Sequence, residues 1–292
     1  MKTRSCALAM VALTFSGGSA AALTVTPTNS ALTLVDTILG PGVSLVGAPT
    51  LTGGPGSAGT FTGGLGSVPI SSGIVLSSGV VSQIPGANAT GPEMRGAGGV
   101  TDDDLSTDFG LPGDPSIPNS FDAASLEFMF QCGDGSVGGS LNFGYVFASE
   151  EYIDFIDTEF NDEFDLLING VDVALVNGQN VNINNVNDVD NAGFYVNNVT
   201  NFNGLPVAGL GMKFDGRTSF LVARALNLGP GVHTAKFVVA DVGDGILDAA
   251  VFVQAGSFSP DEPRPDIPVP AALPLLASGI AALAFLRRRR RA

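Results

Sequence analysis

Short runs in which apolar and polar residues alternate recur along this chain, separated by clusters of Gly, Pro or Asn. Successive side chains of a β-strand point to opposite faces, so this alternation buries one face of each strand. The clearest runs are Leu126 to Phe130 and Leu141 to Phe147. Because a Gly-rich turn from Cys132 to Gly139 joins them, the pattern predicts that they pair as antiparallel neighbours.

The same alternation continues towards the C-terminus. Asn169-Gly170 is a two-residue hairpin signal between the runs Phe164 to Ile168 and Val171 to Leu175. No useful helical period is evident from Leu32 to Pro92. The sequence therefore predicts an all-β fold, an antiparallel β-sandwich that is jelly-roll-like in the broad sense, with an N-terminal signal helix and a C-terminal hydrophobic helix outside it. Further predicted strands lie at Phe194 to Val196, Phe220 to Val222, Phe237 to Val239 and Val251 to Val253.

The N-terminus has the pattern of a secretory signal peptide. Lys2 and Arg4 precede an apolar run from Cys6 to Phe15, and small residues with an A-x-A pattern follow at Ala20 to Ala22. Such segments direct export and are removed. We therefore expect residues 1–22 to be a signal peptide and residues 23–260 to form the β-sandwich domain.

The C-terminus carries a Pro-rich linker, residues 261–268, and then an apolar segment with five arginines, residues 269–292. Residues 271–286 would enter the membrane and the arginines would stay on the cytoplasmic side. Pro268, Pro270 and Pro274 leave a regular helix of about 12 to 16 residues, which is short for a stable span. A transient or permanent C-terminal anchor at the cell surface or in the extracellular matrix is expected.

Charge excludes one class of partner. Without the signal peptide and the residues from Asp261 onward, the chain keeps five basic and 25 acidic residues, a net charge of about −20. Such a surface repels nucleic acid and attracts divalent cations. The acidic run Thr101 to Asp108 is expected to be a solvated coil. Cys132, the one cysteine of this part, cannot form an internal disulfide, and its Gly-rich turn predicts that it is exposed and dispensable.

The densest cluster of acidic and aromatic residues lies between Phe147 and Gly170. We expect its aromatic side chains to anchor the segment and its carboxylates to face outward. In a second acidic segment, Asp241 to Asp248, Gly243 and Gly245 allow a tight backbone path around hard oxygen ligands, which suits calcium. A turn in which the aspartates cap local backbone N–H groups explains the same pattern. The candidate metal ligands are Glu150, Glu151, Asp162, Asp241, Asp244 and Asp248.

Signals for catalysis are weak. His233 is the only histidine and Cys132 is the one cysteine of the domain, so the chain offers few residues from which a Ser-His-Asp or Cys-His catalytic site could be built. Glu151 and Asp162 would be the acid and base of a glycoside hydrolase, but two carboxylates among 25 are not a signature. We therefore expect no catalytic residues and no enzyme.

Five segments of the domain carry a family pattern. They are Phe147 to Tyr152 (F-A-S-E-E-Y), Phe160 to Phe164 (F-N-D-E-F), Val181 to Asn187, Phe214 to Leu221 and Ala240 to Phe252. Together they resemble the choice-of-anchor L family of exported bacterial domains, and the resemblance extends from about Leu32 to Phe258. It implies a surface or matrix protein of adhesin type, and it carries over no catalytic residue.

The tail carries a second resemblance. Val269-Pro270-Ala271, the apolar stretch and the arginine cluster resemble the VPLPA-CTERM variant of the PEP-CTERM sorting signals. Such a tail implies recognition and processing by an exosortase-type membrane enzyme. The tail would then be an address and only temporarily an anchor.

Taken with the export signal, these patterns predict a non-catalytic binding or adhesion module with an extracellular glycan or protein ligand. Two alternatives stay open at this point: a structural coat or matrix component, and a carboxylate-based glycoside hydrolase. A glycan screen separates binding from a structural role.

Overall fold

Two antiparallel β-sheets pack face to face around one apolar core. The computed structural model describes residues 21–88, 105–199 and 207–267, and those up to Asp266 belong to one compact unit. One α-helix, α1 (Ala31–Ile38), lies near the start. The strands are β1 (Thr24–Pro27), β2 (Val43–Thr52), β3 (Ala58–Thr62), β4 (Ser72–Ser77), β5 (Ser120–Cys132), β6 (Gly139–Ser149), β7 (Glu163–Ile168), β8 (Val171–Asp172), β9 (Leu175–Val176), β10 (Gln179–Asn182), β11 (Tyr195–Asn197), β12 (Gly216–Thr218), β13 (Leu221–Leu228), β14 (Val232–Val242) and β15 (Ala249–Gln254).

The strands divide between the sheets without regard to their order in the chain. The first sheet has the order β1-β3-β4-β15-β6-β12-β11, and β13 also pairs with β6. The second has the order β2-β5-β14-β7-β10-β9, and β8 also pairs with β7. The predicted antiparallel β-sandwich is confirmed.

The predicted pairing of the two clearest strands is wrong. β5 pairs with β2 and β14 in the second sheet, whereas β6 pairs with β15, β12 and β13 in the first. The turn between Cys132 and Gly139 therefore crosses from one sheet to the other. Alternation reports which face of a strand is buried, and strands in facing sheets bury the same kind of face against one core.

Helix α1 was not expected from the sequence. The Ser30 hydroxyl accepts a hydrogen bond from the Thr33 N–H at 3.2 Å, which caps the helix. Leu34, Val35 and Ile38 are fully buried in the core. Two turns of helix show too few apolar positions for a period to be recognised.

Asn-Gly pairs close two hairpins, of which the sequence predicted the one at Asn169-Gly170. Asn169 and Gly170 have φ angles of 52° and 80°, and Asn177 and Gly178 have 51° and 83°. Both residues of each pair thus lie in the left-handed region, as a two-residue turn between antiparallel strands requires. The first pair joins β7 to β8, and the second joins β9 to β10.

Cys132 is not in an exposed turn. It ends β5, is 7% exposed and packs in the core. Burial raises the pKa of its thiol. The expectation that it is exposed is therefore wrong, because the apolar alternation of β5 continues one step further than the glycines suggested.

The predicted signal peptide, residues 1–22, lies outside the described residues as far as residue 20, and so does the C-terminal segment from residue 268. Within the described ranges, no helix is both long and apolar enough to pass through a bilayer. The Pro-rich linker lies against the domain, since Asp266 Oδ2 accepts hydrogen bonds from the N–H and the hydroxyl of Ser71, both at 2.6 Å.

Candidate metal site

Buried carboxyl groups from both sheets meet at one end of the sandwich. Glu151 follows β6 and Asp248 precedes β15, both in the first sheet, while Asp162 precedes β7 and Asp241 belongs to β14 in the second. None of the four is more than 1% exposed. These four residues are called the acidic cluster below.

Strand register brings the cluster together. Ser149 lies opposite Ala249, so Glu151 and Asp248 emerge at the same end of the first sheet. Ala240 lies opposite Glu163, which places Asp241 beside Asp162 in the second sheet. The pairing of β14 with β5 is irregular between Val239 and Asp241. A bulge of this kind re-aims a side chain at the end of a strand.

Asp162 and Glu151 form the hydrogen-bonded half of the cluster. The Ser149 hydroxyl donates to Asp162 Oδ2 at 2.8 Å, and the Val242 N–H donates to Oδ1 at 3.4 Å. The Asp162 N–H donates to Glu151 Oε2 at 3.2 Å. These donors orient the two side chains towards each other.

Asp241 and Asp248 form the other half. Neither carboxylate oxygen of Asp241, nor Oδ2 of Asp248, has a hydrogen-bond partner within the part of the chain that the structure describes. The Ser78 hydroxyl lowers the pKa of Asp241 against the dominant effect of burial, but it donates its proton to the Ala249 carbonyl at 3.4 Å. Buried oxygens without partners are costly and call for an explanation.

Burial raises the pKa of every carboxyl group in the cluster. It raises the pKa of Asp162 to about 8 and that of Asp248 to about 6. Burial, followed by the nearby Asp162 charge, holds the pKa values of Glu151 and Asp241 well above their ordinary range. The cluster therefore disfavours four negative charges unless a proton or a cation joins them.

The backbone of Gly79 packs against the Asp248 carboxylate on one side of the acidic cluster. A Cβ atom there would lie 1.7 Å from Asp248 Oδ2, so no other residue fits without moving that carboxylate. The Thr107 N–H donates to Asp248 Oδ1 at 3.2 Å. Asp248 is thus held in place with its second oxygen against the backbone of Gly79.

Two of the six predicted ligands direct their carboxylates to backbone N–H groups outside the cluster. Both carboxylate oxygens of Glu150 accept from the Leu105 N–H, at 2.7 and 2.8 Å. Asp244 Oδ1 accepts from the Ile246 N–H at 3.0 Å. Asp244 thus caps a local turn, which was the alternative to a metal ligand in the sequence analysis. Asp244 also lines a surface pocket of about 650 Å³ together with Asp108 and Asp122.

The expectation that the carboxylates of the central stretch face outward is wrong for its buried members. Glu150, Glu151 and Asp154 follow β6 and Asp162 precedes β7, whereas Asp165 alternates with core residues of β7 and so lies on the outer face of the second sheet. The buried carboxylates of this stretch are Glu150, Glu151, Asp154, Asp162 and Asp165.

The segment before β5 supplies N–H donors that the sequence did not reveal. Leu105 is buried and the Phe109 and Leu111 N–H groups donate to Asp122, at 2.8 and 2.6 Å. The described part of the Thr101 to Asp108 run, from Leu105, is therefore packed on buried carboxylates and not a solvated coil. Backbone donors have no signature in a sequence, so only the fold could identify them.

As they stand, no three His, Cys, Asp or Glu residues among those described have the spacing to hold a metal ion by themselves. An ion at the cluster would need backbone oxygens or water as well, which calcium readily takes. The cluster combines side chains from four segments, and four of the six residues predicted as ligands belong to it.

Comparison with protein families identifies the domain. The Choice-of-anchor L domain profile matches residues 24–259, which include both sheets and the whole acidic cluster. No curated protein and no solved structure matches the chain significantly. The chain therefore belongs to the Choice-of-anchor L domain family, which indicates an exported, surface-anchored protein.

Proposed function

We propose that this protein is a non-catalytic binding module of adhesin type, exported to the bacterial surface or matrix, and that a calcium ion closes one end of its sandwich. The observation that carries the calcium site is Asp241. Its side chain is completely buried and neither of its carboxylate oxygens has a hydrogen-bond partner among the described residues.

Charge balance supports a cation. A buried carboxylate without compensation costs several kcal/mol, so it takes up a proton or binds a positive charge. The ion pairs found within the described residues join Arg224 to Glu262 and Lys236 to Asp114, and neither involves the cluster. A bound cation would neutralise several of these carboxylates at once.

Ligand chemistry favours calcium among the cations. The cluster offers only oxygen, and calcium accepts six to eight oxygen ligands in flexible geometry, including backbone carbonyls and water. Magnesium demands a near-ideal octahedron. We assign the side-chain ligands to Glu151, Asp162, Asp241 and Asp248, because Glu150 binds the Leu105 N–H through both of its oxygens and Asp244 caps a local turn.

Calcium should raise the thermal stability of the mature protein. At a hundred times its dissociation constant it should add about 2.7 kcal/mol to the free energy of unfolding. Melting curves in calcium and in chelator measure this. Asp241→Asn should abolish the difference between the two curves, whereas Asp244→Asn, the matched control outside the cluster, should keep it. If the two melting curves of the unmodified protein overlap, the proposed calcium site is wrong.

Burial of the best catalytic pair supports a role in binding. Glycosidase carboxyl groups stand about 5 to 9.5 Å apart across an accessible sugar. Here a hydrogen bond joins the Asp162 backbone to Glu151, and both side chains are at most 1% exposed. No substrate reaches this pair without the sandwich opening.

Loops at the ends of a sandwich carry function in many folds. The pocket lined by Asp108, Asp122 and Asp244 is one accessible place for a ligand. Screening the purified protein against extracellular glycans and surface proteins should find retention that chelator weakens. If no glycan or protein retains it, a structural coat component is favoured. If it hydrolyses a glycan, the glycoside hydrolase alternative is favoured.

We also propose that the tail is a sorting signal for an exosortase-type enzyme. Its motif and its arginines lie outside the described residues, so the proposal rests on the sequence resemblance. Mass spectrometry of the surface form should find no peptide that contains Arg287 to Arg291. Such a peptide in surface material would indicate a retained membrane anchor.

A further inference from the structure

A second group of charged side chains lies on the outer face of the second sheet, away from the acidic cluster. Lys236, in the middle of β14, places its Nζ 2.6 Å from Asp114 Oδ1 and 2.5 Å from Oδ2. One amine nitrogen therefore contacts both oxygens of one carboxyl group. The Lys236 side chain is 23% exposed and that of Asp114 is 11% exposed.

Apolar side chains flank this pair. Ile117, three residues after Asp114, packs with Ala123, Val238 and Ala240 in a small cluster of its own. Val238 follows Lys236 by two positions in β14 and so lies on the same face of the sheet. Apolar surroundings strengthen the attraction within the pair but leave the cost of burying two charges.

The Asp114 carboxyl group is held asymmetrically. Ser116 donates to Oδ1 twice, from its N–H at 3.0 Å and from its hydroxyl at 2.8 Å. Among the described residues, Oδ2 by contrast contacts only the Lys236 ammonium group. Two donors aimed at one oxygen stabilise negative charge that develops there during attack on the carboxyl carbon.

A third carboxyl group lies on the same face of the sheet as the pair. Asp165, in β7, stands opposite Val238 in the strand pairing, and the charge of Asp114 acts on it. It is 3% exposed, and its Oδ1 has no hydrogen-bond partner among the described residues. Burial, followed by the charges of Asp172 and Glu163, raises its pKa to about 8, so it carries a proton at neutral pH.

We propose that Lys236 and Asp114 become joined by an amide bond between their side chains, with Asp165 as the proton donor. This cross-link is independent of the calcium site and of the ligand. It would tie the segment before β5 to the central strand of the second sheet. It also removes both charges from a partly buried site.

The reaction balances without any other reagent. A proton first passes from the Lys236 ammonium to the Asp114 carboxylate, which frees the lone pair of Nζ. Nζ then attacks Cγ, and Ser116 stabilises the charge that forms on Oδ1. Asp165 donates a proton to Oδ2, the Cγ–Oδ2 bond breaks and one water molecule leaves. Asp165 recovers a proton from the nitrogen, so it acts as acid and then as base.

Ionisation of the pair defines the starting state. Burial raises the pKa of Asp114, but hydrogen bonds from Lys236 and Ser116 outweigh burial and leave the pKa below its ordinary value. The first proton transfer is therefore uphill, and the cross-link is expected to form slowly after folding. A pair held in contact by the fold has the high effective concentration that such a reaction needs.

Mass spectrometry of the full-length protein after proteolysis tests the proposal. We expect one branched peptide that contains Lys236 and Asp114, lighter by one water molecule than its two parts. Recovery of both residues only in separate, unlinked peptides would overturn the cross-link. The unmodified protein decides this by itself.

Two variants test the roles. Lys236→Arg keeps the positive charge and the ion pair but lacks the amine nucleophile, so the peptides should be unlinked in a folded protein. Lys213→Arg, on another part of the chain, should leave the branched peptide in place. Asp165→Asn should greatly reduce the linked fraction at equal times after folding, and an unchanged fraction would overturn its role as proton donor.

Discussion

Replacing Phe258 with alanine is expected to lower the free energy of unfolding by about 3 to 5 kcal/mol. The ring is fully buried, and its centroid lies 5.2, 4.9, 4.3 and 6.5 Å from those of Phe128, Phe130, Phe143 and Phe237, respectively. Phe143 belongs to the first sheet and the other three to the second. Truncation would therefore open a cavity where the two sheets meet.

The backbone around Phe258 adds to this expectation. Its N–H donates to the Ile38 carbonyl, and its own carbonyl accepts from the Gly40 N–H, both at 3.0 Å. The residue thus also fixes the chain that leaves α1. Urea unfolding of the variant measures the loss, with Phe121→Ala as a control because Phe121 is 38% exposed. A loss under about 1 kcal/mol for Phe258→Ala would contradict the core position given to this ring.

In chelator, the domain should become less stable as the pH rises from 5 to 8. The cluster carboxyl groups have raised pKa values, to about 8 for Asp162 and about 6 for Asp248. A carboxyl group of this kind binds its proton more tightly in the folded state than in the unfolded state. Its stabilising effect is therefore complete below the unfolded pKa, near 4, and is lost as the pH rises through the folded value.

For each carboxyl group, the expected loss of unfolding free energy is on the order of 1 kcal/mol per unit by which folding raises its pKa. Calcium should oppose this loss, because the cation replaces the protons and binds the ionised carboxylates more tightly as the pH rises. Urea unfolding at several pH values, in calcium and in chelator, gives both curves. If stability in chelator instead rises between pH 5 and 8, these carboxyl groups are not buried in protonated form and the prediction is wrong. Asp241→Asn should reduce the slope in chelator, while Asp244→Asn should leave it unchanged.

Local chemistry was sufficient for the elements that depend on neighbouring residues. The alternation in β5, β6 and β7 follows from the two faces of a strand, and it predicted these strands correctly. Asn169-Gly170 predicted a turn because few other residues adopt its backbone angles. The all-β class follows from such signals repeated along the domain, whereas the family was recognised from the five matching segments and is shown by the profile match.

Helix α1 and Cys132 show where local signals fail. Eight residues of helix carry too short a pattern to compete with the β-rich sequence around them, and packing of Leu34, Val35 and Ile38 on the core stabilises it. Glycines after Cys132 suggested an exposed turn, but the residue ends a buried strand. Core packing decided both cases.

The sequence by itself determined that acidic residues gather in two segments of a β-rich chain, since composition and spacing are properties of the chain. Only the tertiary structure decided which of them are buried together. Asp162 and Asp241 are far apart in sequence, and antiparallel pairing of β7 with β14 makes them neighbours. Asp244, three residues after Asp241, instead caps a local N–H beyond the end of the strand. The free energy of a carboxylate depends on its burial and its partners, and both are set by strands that meet from distant parts of the chain.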